Sequence, residues 1–233
     1  MKQLSLVAGI VTLLAGAPAA AHTINFDKVE VGYKRFEVDD KDLEPFGDLT
    51  GINLALSKRF DNLYIEGRYY NVSDDLHISE NNPLTLAANQ KFLTLDTEFE
   101  IQQYTVGAGY IHTLDETSIF DVSLHIGRVD LSVDSTLTFG YQDGSVSVKP
   151  SGASGEDDAT IYRLRGQYQT RVLENIELKA GLGYEKTSGE DGDSDPFFFV
   201  GAGYHFNNMF SVNTEYRKVD DYNTLDINFR YSF

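Results

Sequence analysis

Apolar side chains recur at every second position, in blocks of about ten residues, along almost the whole chain after its first two dozen residues. The last block is the clearest: Leu225, Ile227, Phe229, Tyr231 and Phe233 alternate with Asp226, Asn228, Arg230 and Ser232. Period two is the signature of a strand with unlike faces, because successive side chains point to opposite sides of the pleat. No window offers the ~18 consecutive apolar residues of a spanning helix. Ten blocks are predicted as strands, at 24–36, 49–60, 62–73, 99–112, 117–133, 160–172, 175–187, 196–206, 209–218 and 224–233. In the fourth and fifth the apolar set changes phase, near Gln102-Gln103 and at Val129, Leu131 and Val133. A β-bulge would do this. The preferred reading is that these ends leave the membrane, where the alternation is no longer enforced.

Connections alternate between short and long. Short links fall near Asp61, at Thr113–Glu116, near Glu174 and at Asn207-Asn208; longer ones are 37–48, 74–98, 134–159 and 188–195. This rhythm, with an even strand number, predicts an all-β fold, a closed antiparallel transmembrane β-barrel of ten strands with eight as the alternative. Residues 1–21 read as a secretory signal: Lys2, an apolar run from Leu4 to Leu14, then Ala19-Ala20-Ala21 before His22. The barrel domain is then 22–233, with short turns and both termini in the periplasm and long loops outside. No further periplasmic domain is expected after Phe233.

Charge placement separates this barrel from a soluble one, whose lumen would be the apolar side. The non-apolar face carries Glu30, Glu66, Asp121, Glu177, Glu185, Glu215 and Asp226 against Lys28, Lys34, Arg68, Arg163, Arg165, Lys179, Arg217 and Arg230. That near-balance suits a closed interior, where an unpaired charge is costly. The charged face is therefore read as the lumen and the apolar face as lipid-contacting. The chain's net charge of −17 falls almost entirely in the loops. It argues against nucleic acid, whose binding rests on Lys and Arg contacts to phosphate. With no cysteine, disulfides and thiolate metal sites are excluded, and no cofactor is implied.

Tyrosine and phenylalanine mark the expected membrane interfaces. Phe60, Tyr110, Tyr168, Tyr204 and Tyr231 fall at the periplasmic level, and Tyr33/Phe36, Tyr69/Tyr70, Tyr184 and Tyr216 at the outer level. The repeated elements Gly107-Ala108-Gly109-Tyr110, Gly181-Leu182-Gly183-Tyr184 and Gly201-Ala202-Gly203-Tyr204 put glycine on the lumen face, where it leaves room for long Arg, Lys and Glu side chains or eases curvature. With its signal, these Gly-x-Gly-Tyr elements and a terminal strand ending in phenylalanine, the chain resembles the small outer-membrane β-barrels of Gram-negative bacteria, the OmpA-type or OmpX-like group. The resemblance implies that Phe229, Tyr231 and Phe233 form the recognition signal for the barrel-assembly machinery. It also implies outer-membrane lipid and lipopolysaccharide as surroundings, and a monomer.

Few constellations point to chemistry. Asp191, Asp193 and Asp195 have the alternating oxygen spacing of a calcium loop, without the glutamate that completes an EF-hand; a solvated acidic tip or a weak divalent-ion site at lipopolysaccharide phosphates would both fit. His77, beside Asp74 and Asp75, suggests the His–carboxylate chemistry of the omptin surface proteases, also ten-stranded. His77-Ile78-Ser79 mimics the His-x-Ser of lipid A deacylases, though in a predicted loop. Apolar lumen positions are few: Phe197, Phe199, Tyr64 and Tyr70, read as near the outer mouth. The expectation is a non-enzymatic barrel with a charge-filled lumen and acidic loops, in envelope integrity or adhesion. A narrow small-solute channel and an omptin-like hydrolase are the alternatives.

Overall fold

The computed structural model describes residues 24–38, 48–81, 89–151, 155–188 and 194–233. The signal segment at 1–21, and Asp191 and Asp193, lie outside the described residues. The described chain is all β: β1 (Lys28–Val38), β2 (Leu49–Phe60), β3 (Leu63–Glu80), β4 (Gln90–Thr113), β5 (Ser118–Tyr141), β6 (Val146–Pro150), β7 (Gly155–Leu173), β8 (Ile176–Ser188), β9 (Ser194–His205), β10 (Phe210–Lys218) and β11 (Tyr222–Ser232). Every neighbouring pair is antiparallel. β1 pairs with β11 from Lys28↔Ser232 to Val38↔Tyr222, and β4 pairs with β5, so ten strands close into a barrel with β6 as an addition on the edge of β5.

Local chemistry makes the turns at one end tight. Asp61 adopts the left-handed conformation (φ 55°) between β2 and β3, which Asp tolerates because its short polar side chain can bond locally. Between β4 and β5 the Asp115 carboxylate accepts hydrogen bonds from the Thr117 amide (2.8 Å) and hydroxyl (2.9 Å), which hold it below the usual carboxylate range. Between β9 and β10 the Asn207 side chain accepts from the amides of Met209 and Phe210, both at 2.8 Å.

The outside of the barrel is a belt of exposed hydrophobic side chains. Leu182 is 70% exposed and Val106 and Leu124 are 61% exposed, a continuous apolar surface that water would not tolerate. Rings rim it on both sides: Tyr33, Tyr104, Tyr162, Tyr184 and Tyr216 towards the long strands, and Phe60, Tyr110, Phe120, Tyr168, Tyr204 and Tyr231 towards the short turns. The belt is the exterior of a membrane barrel.

Beyond it the strands continue. β4 and β5 have 24 residues each, whereas about 9–11 tilted residues cross a bilayer. The predicted loops 74–98 and 134–159 are therefore largely strand. The upper parts of β3, β4 and β5, with β6, form a four-stranded tongue above the belt. β6 itself carries no strand signal that the period-two reading used; it returns from β5 through a turn with Gly144 at φ 86°. The β4–β5 register runs unbroken from Phe92↔Gly140 to Thr113↔Ile119, so no bulge lies at either change of phase. The polarity inverts instead: above the belt Glu98, Glu100, Asp130 and Asp134 face outward, and Phe99, Ile101, Val129, Leu131 and Val133 face inward. Water has replaced lipid outside, and the preferred faces have exchanged.

Three further expectations change. Residues 24–27 precede β1 and are not strand. Phe36, placed by height in the outer girdle, is 7% exposed and points into the lumen, as does Tyr70 at 8%, which the sequence pattern assigns both to the girdle and to the lumen. Tyr64 lies near the short-turn end, not at the outer mouth, packing on Phe26 with ring centroids 4.6 Å apart.

Candidate functional site

The lumen is the most elaborated part of the molecule, and the pleat builds it. Even positions of β1, β3 and β11 point inward, and odd positions of β2, β4, β5, β7, β8, β9 and β10. The interior is layered along the barrel axis.

At the short-turn end Ile24, Phe26, Tyr64, Ile111 and Ile119 form an apolar cap. The segment before β1 is drawn under the barrel to complete it. Asp27 ties it down, accepting from the Arg59 amide (2.7 Å) and the Lys58 ammonium (3.0 Å), while its carbonyl accepts from the Phe233 amide (3.0 Å). At the opposite end a second cap is made by Phe36, Leu49, Tyr70, Val72 and Ile101, and a third cluster by Phe197, Phe199 and Val219; Tyr222 packs against both.

Between the caps lies the ionic layer, into which the structure brings all fifteen charged lumen residues singled out above. Arg230 bridges Glu30 (2.6 Å) and Glu177 (3.2 Å), and Lys28 reaches Glu30 at 3.5 Å. Glu177 also faces His205 (3.1 Å) and accepts from Gln169 (2.6 Å). Glu66 holds Arg68 (2.6 Å) and His125 (3.2 Å). Glu215 holds Arg165 (2.8 Å) and Lys179 (2.5 Å), Glu185 holds Arg163 (2.6 Å) and Arg217 (2.9 Å), and Asp226 holds Lys34 (2.5 Å). Asp121 differs: Tyr64 and Gln167 donate to it at 2.8 and 2.7 Å, and among the described residues no Lys or Arg reaches it within ion-pair distance. Rings extend the network at its upper edge, where the Arg165 guanidinium lies 3.6 Å from the Phe199 ring centre, a favourable cation–π geometry.

The lumen glycines serve close approach, chiefly to rings. A Cβ on Gly181 would stand 2.3 Å from Phe199, and one on Gly183 2.3 Å from Phe197. Only Gly201, whose Cβ would meet Lys179 at 2.5 Å, makes room for a long charged chain in the way expected.

Outside the lumen the candidate groups scatter. His77 stands on β3, not in a loop; its register partner is Asp96, and its Nδ1 lies 2.5 Å from the Asp96 carboxylate on the open outer face of the tongue. Asp195 is the second residue of β9, and among the described residues no cluster has the makings of a metal site. Phe229 and Tyr231 point outward and stack with Phe210 at 5.7 and 5.4 Å; Phe233 follows Tyr231 at 6.1 Å. An open acidic cleft of about 460 Å³ lies just above the Tyr104 level, lined by Glu100, Asp130, Asp157 and Asp158 around Arg128. The apolar caps are only partly legible in the sequence: Phe197, Phe199, Tyr64 and Tyr70 stand out as apolar lumen positions, whereas Val72, Ile101, Val129 and Leu131 carry their signal in an exchanged polarity. An alternation that continues with its polarity exchanged marks where a barrel leaves the bilayer.

No family model and no curated protein matches the chain in sequence. In structure it is similar to the outer membrane protease OmpT from Escherichia coli, at 9% identity over 92% of this chain and 100% of that chain, with a TM-score of 0.47. It is similar to the NanC porin at 8% identity over 88% and 100%, TM-score 0.46, and to Ail, the attachment invasion locus protein of Yersinia pestis, at 14% identity over 88% and 97%, TM-score 0.34. The geometry itself, a closed all-β barrel with an apolar belt outside and ion pairs within, is the architecture of the small outer-membrane β-barrels.

Proposed function

We propose that this protein is an integral outer-membrane barrel that acts at its outer surface, through the tongue, in attachment or envelope integrity, and not by passing solutes. The observation that carries this reading is the double capping of the lumen. Ile24, Phe26, Tyr64 and Ile111 close one end and Phe36, Leu49, Val72 and Ile101 the other, while the ion pairs between them fill the bore. The acidic tongue carries β4 and β5 well beyond the belt. Barrels of about eight strands have interiors filled by side chains, and water-filled channels belong to much wider ones; ten strands with this filling sit at the closed end of that range. Purified protein in planar bilayers is expected to show no stable conductance steps; a steady open-pore current would favour the channel. Hydrolysis at His77 stands second, on the strength of its contact with Asp96. It would be supported by peptide cleavage that disappears in His77→Ala, and the surface role expects no such cleavage.

A further inference from the structure

We infer that the ionic layer of the lumen holds a small monovalent anion of the size of chloride beside Arg163, a site independent of what the tongue binds. A cavity of about 60 Å³ lies in this layer. Its wall carries five cationic groups, Lys34, Arg68, Arg163, Arg165 and Arg217, against the carboxylates Glu30, Glu215 and Asp226. Those carboxylates are already engaged: Asp226 by Lys34 and Asn53, Glu215 by Arg165 and Lys179, and Glu30 by Arg230. Arg163 and Arg217 share the single carboxylate of Glu185. Among the Lys, Arg, Asp and Glu residues of the layer named above, cations outnumber carboxylates by eight to seven.

Arg163 is the point where the excess surfaces. It is 9% exposed, its Nε donates to Glu185 at 2.6 Å, and its Nη2 is buried with no hydrogen-bond partner among the described residues. A buried guanidinium N–H left unpaired is costly. Neutral water would satisfy the donor and leave the charge. A halide answers both. One water needs roughly 10–15 Å³ of such space, so the cavity takes one small ion with a few waters and excludes a bulky organic anion such as gluconate.

The full barrel, extracted in detergent, is unfolded thermally in sodium chloride, sodium bromide or sodium gluconate at equal ionic strength. The site requires the midpoint to rise with the logarithm of halide concentration above Kd, by about 4 °C at tenfold excess over Kd, and not at all with gluconate. Arg163→Gln is expected to abolish the halide effect, whereas Lys149→Gln, which removes a charge on β6 outside the ionic layer, is expected to retain it. Crystals soaked in bromide are expected to show an anomalous peak beside Arg163, a readout that stands even if Arg163→Gln does not fold. Equal midpoints in halide and gluconate, or a bromide soak with no peak in the lumen, would overturn the inference and leave water as the occupant.

Discussion

Glu215 and Asp121 are both buried carboxylates in the same lumen, 5% and 1% exposed, and they are held in different ways. Glu215 neutralises Arg165 and Lys179, so Glu215→Gln strands two cations; breaking a buried pair in this way costs about 3–5 kcal/mol. Asp121 is held by the neutral donors Tyr64 and Gln167, so Asp121→Asn is expected to change stability by less than about 1 kcal/mol, the range of a single net hydrogen bond. Urea unfolding of the two variants in the same micelles reads the contrast, and equal losses would contradict it. At Gly181 the limit is steric. Phe199 occupies the space a Cβ would need, so Gly181→Ala is expected to lose about 1–3 kcal/mol by overpacking. That these residues face inward was legible from parity alone. Their partners were not, because which charges meet across the bore depends on the stagger of non-adjacent strands, which no local pattern records.

The long strands of the barrel meet more than one solvent along their length, and β5 shows it best. Its lower half turns Val122, Leu124 and Ile126 outward, and its upper half turns Val129, Leu131 and Val133 inward, with no break in register. The sequence reading found the strand, its lower face and its departure from the membrane, but ended it at 133, where the structure carries it to Tyr141. Alternation was equated with lipid contact, so the tongue was read as loop. The same assumption assigned Phe36 and Tyr70 to a girdle by their height, although parity already placed them inside. A paired substitution tests where the belt stops. Leu182→Arg, in the belt, is expected to destabilise by ~2–4 kcal/mol if it lies near the midplane. Val148→Arg, equally exposed but on β6 of the tongue, is expected to be near neutral. Similar losses at both sites would mean the tongue lies in lipid. For β11, removing Phe233 from the stacked series with Tyr231 is expected to lower membrane levels of assembled barrel on unheated gels, and wild-type levels would remove its role as an assembly signal.

As a whole the molecule is a sealed cylinder: apolar where lipid touches it, ionic within, capped by hydrophobic clusters at both ends and prolonged on one side into an acidic sheet. Its lack of tryptophan makes single tryptophans clean reporters of which surface is in lipid. The decisive measurement is fluorescence quenching by lipids brominated along their acyl chains, on Leu182→Trp and Val148→Trp barrels reconstituted in vesicles. The account requires strong quenching at 182 and little at 148; an unquenched tryptophan at 182 would contradict it.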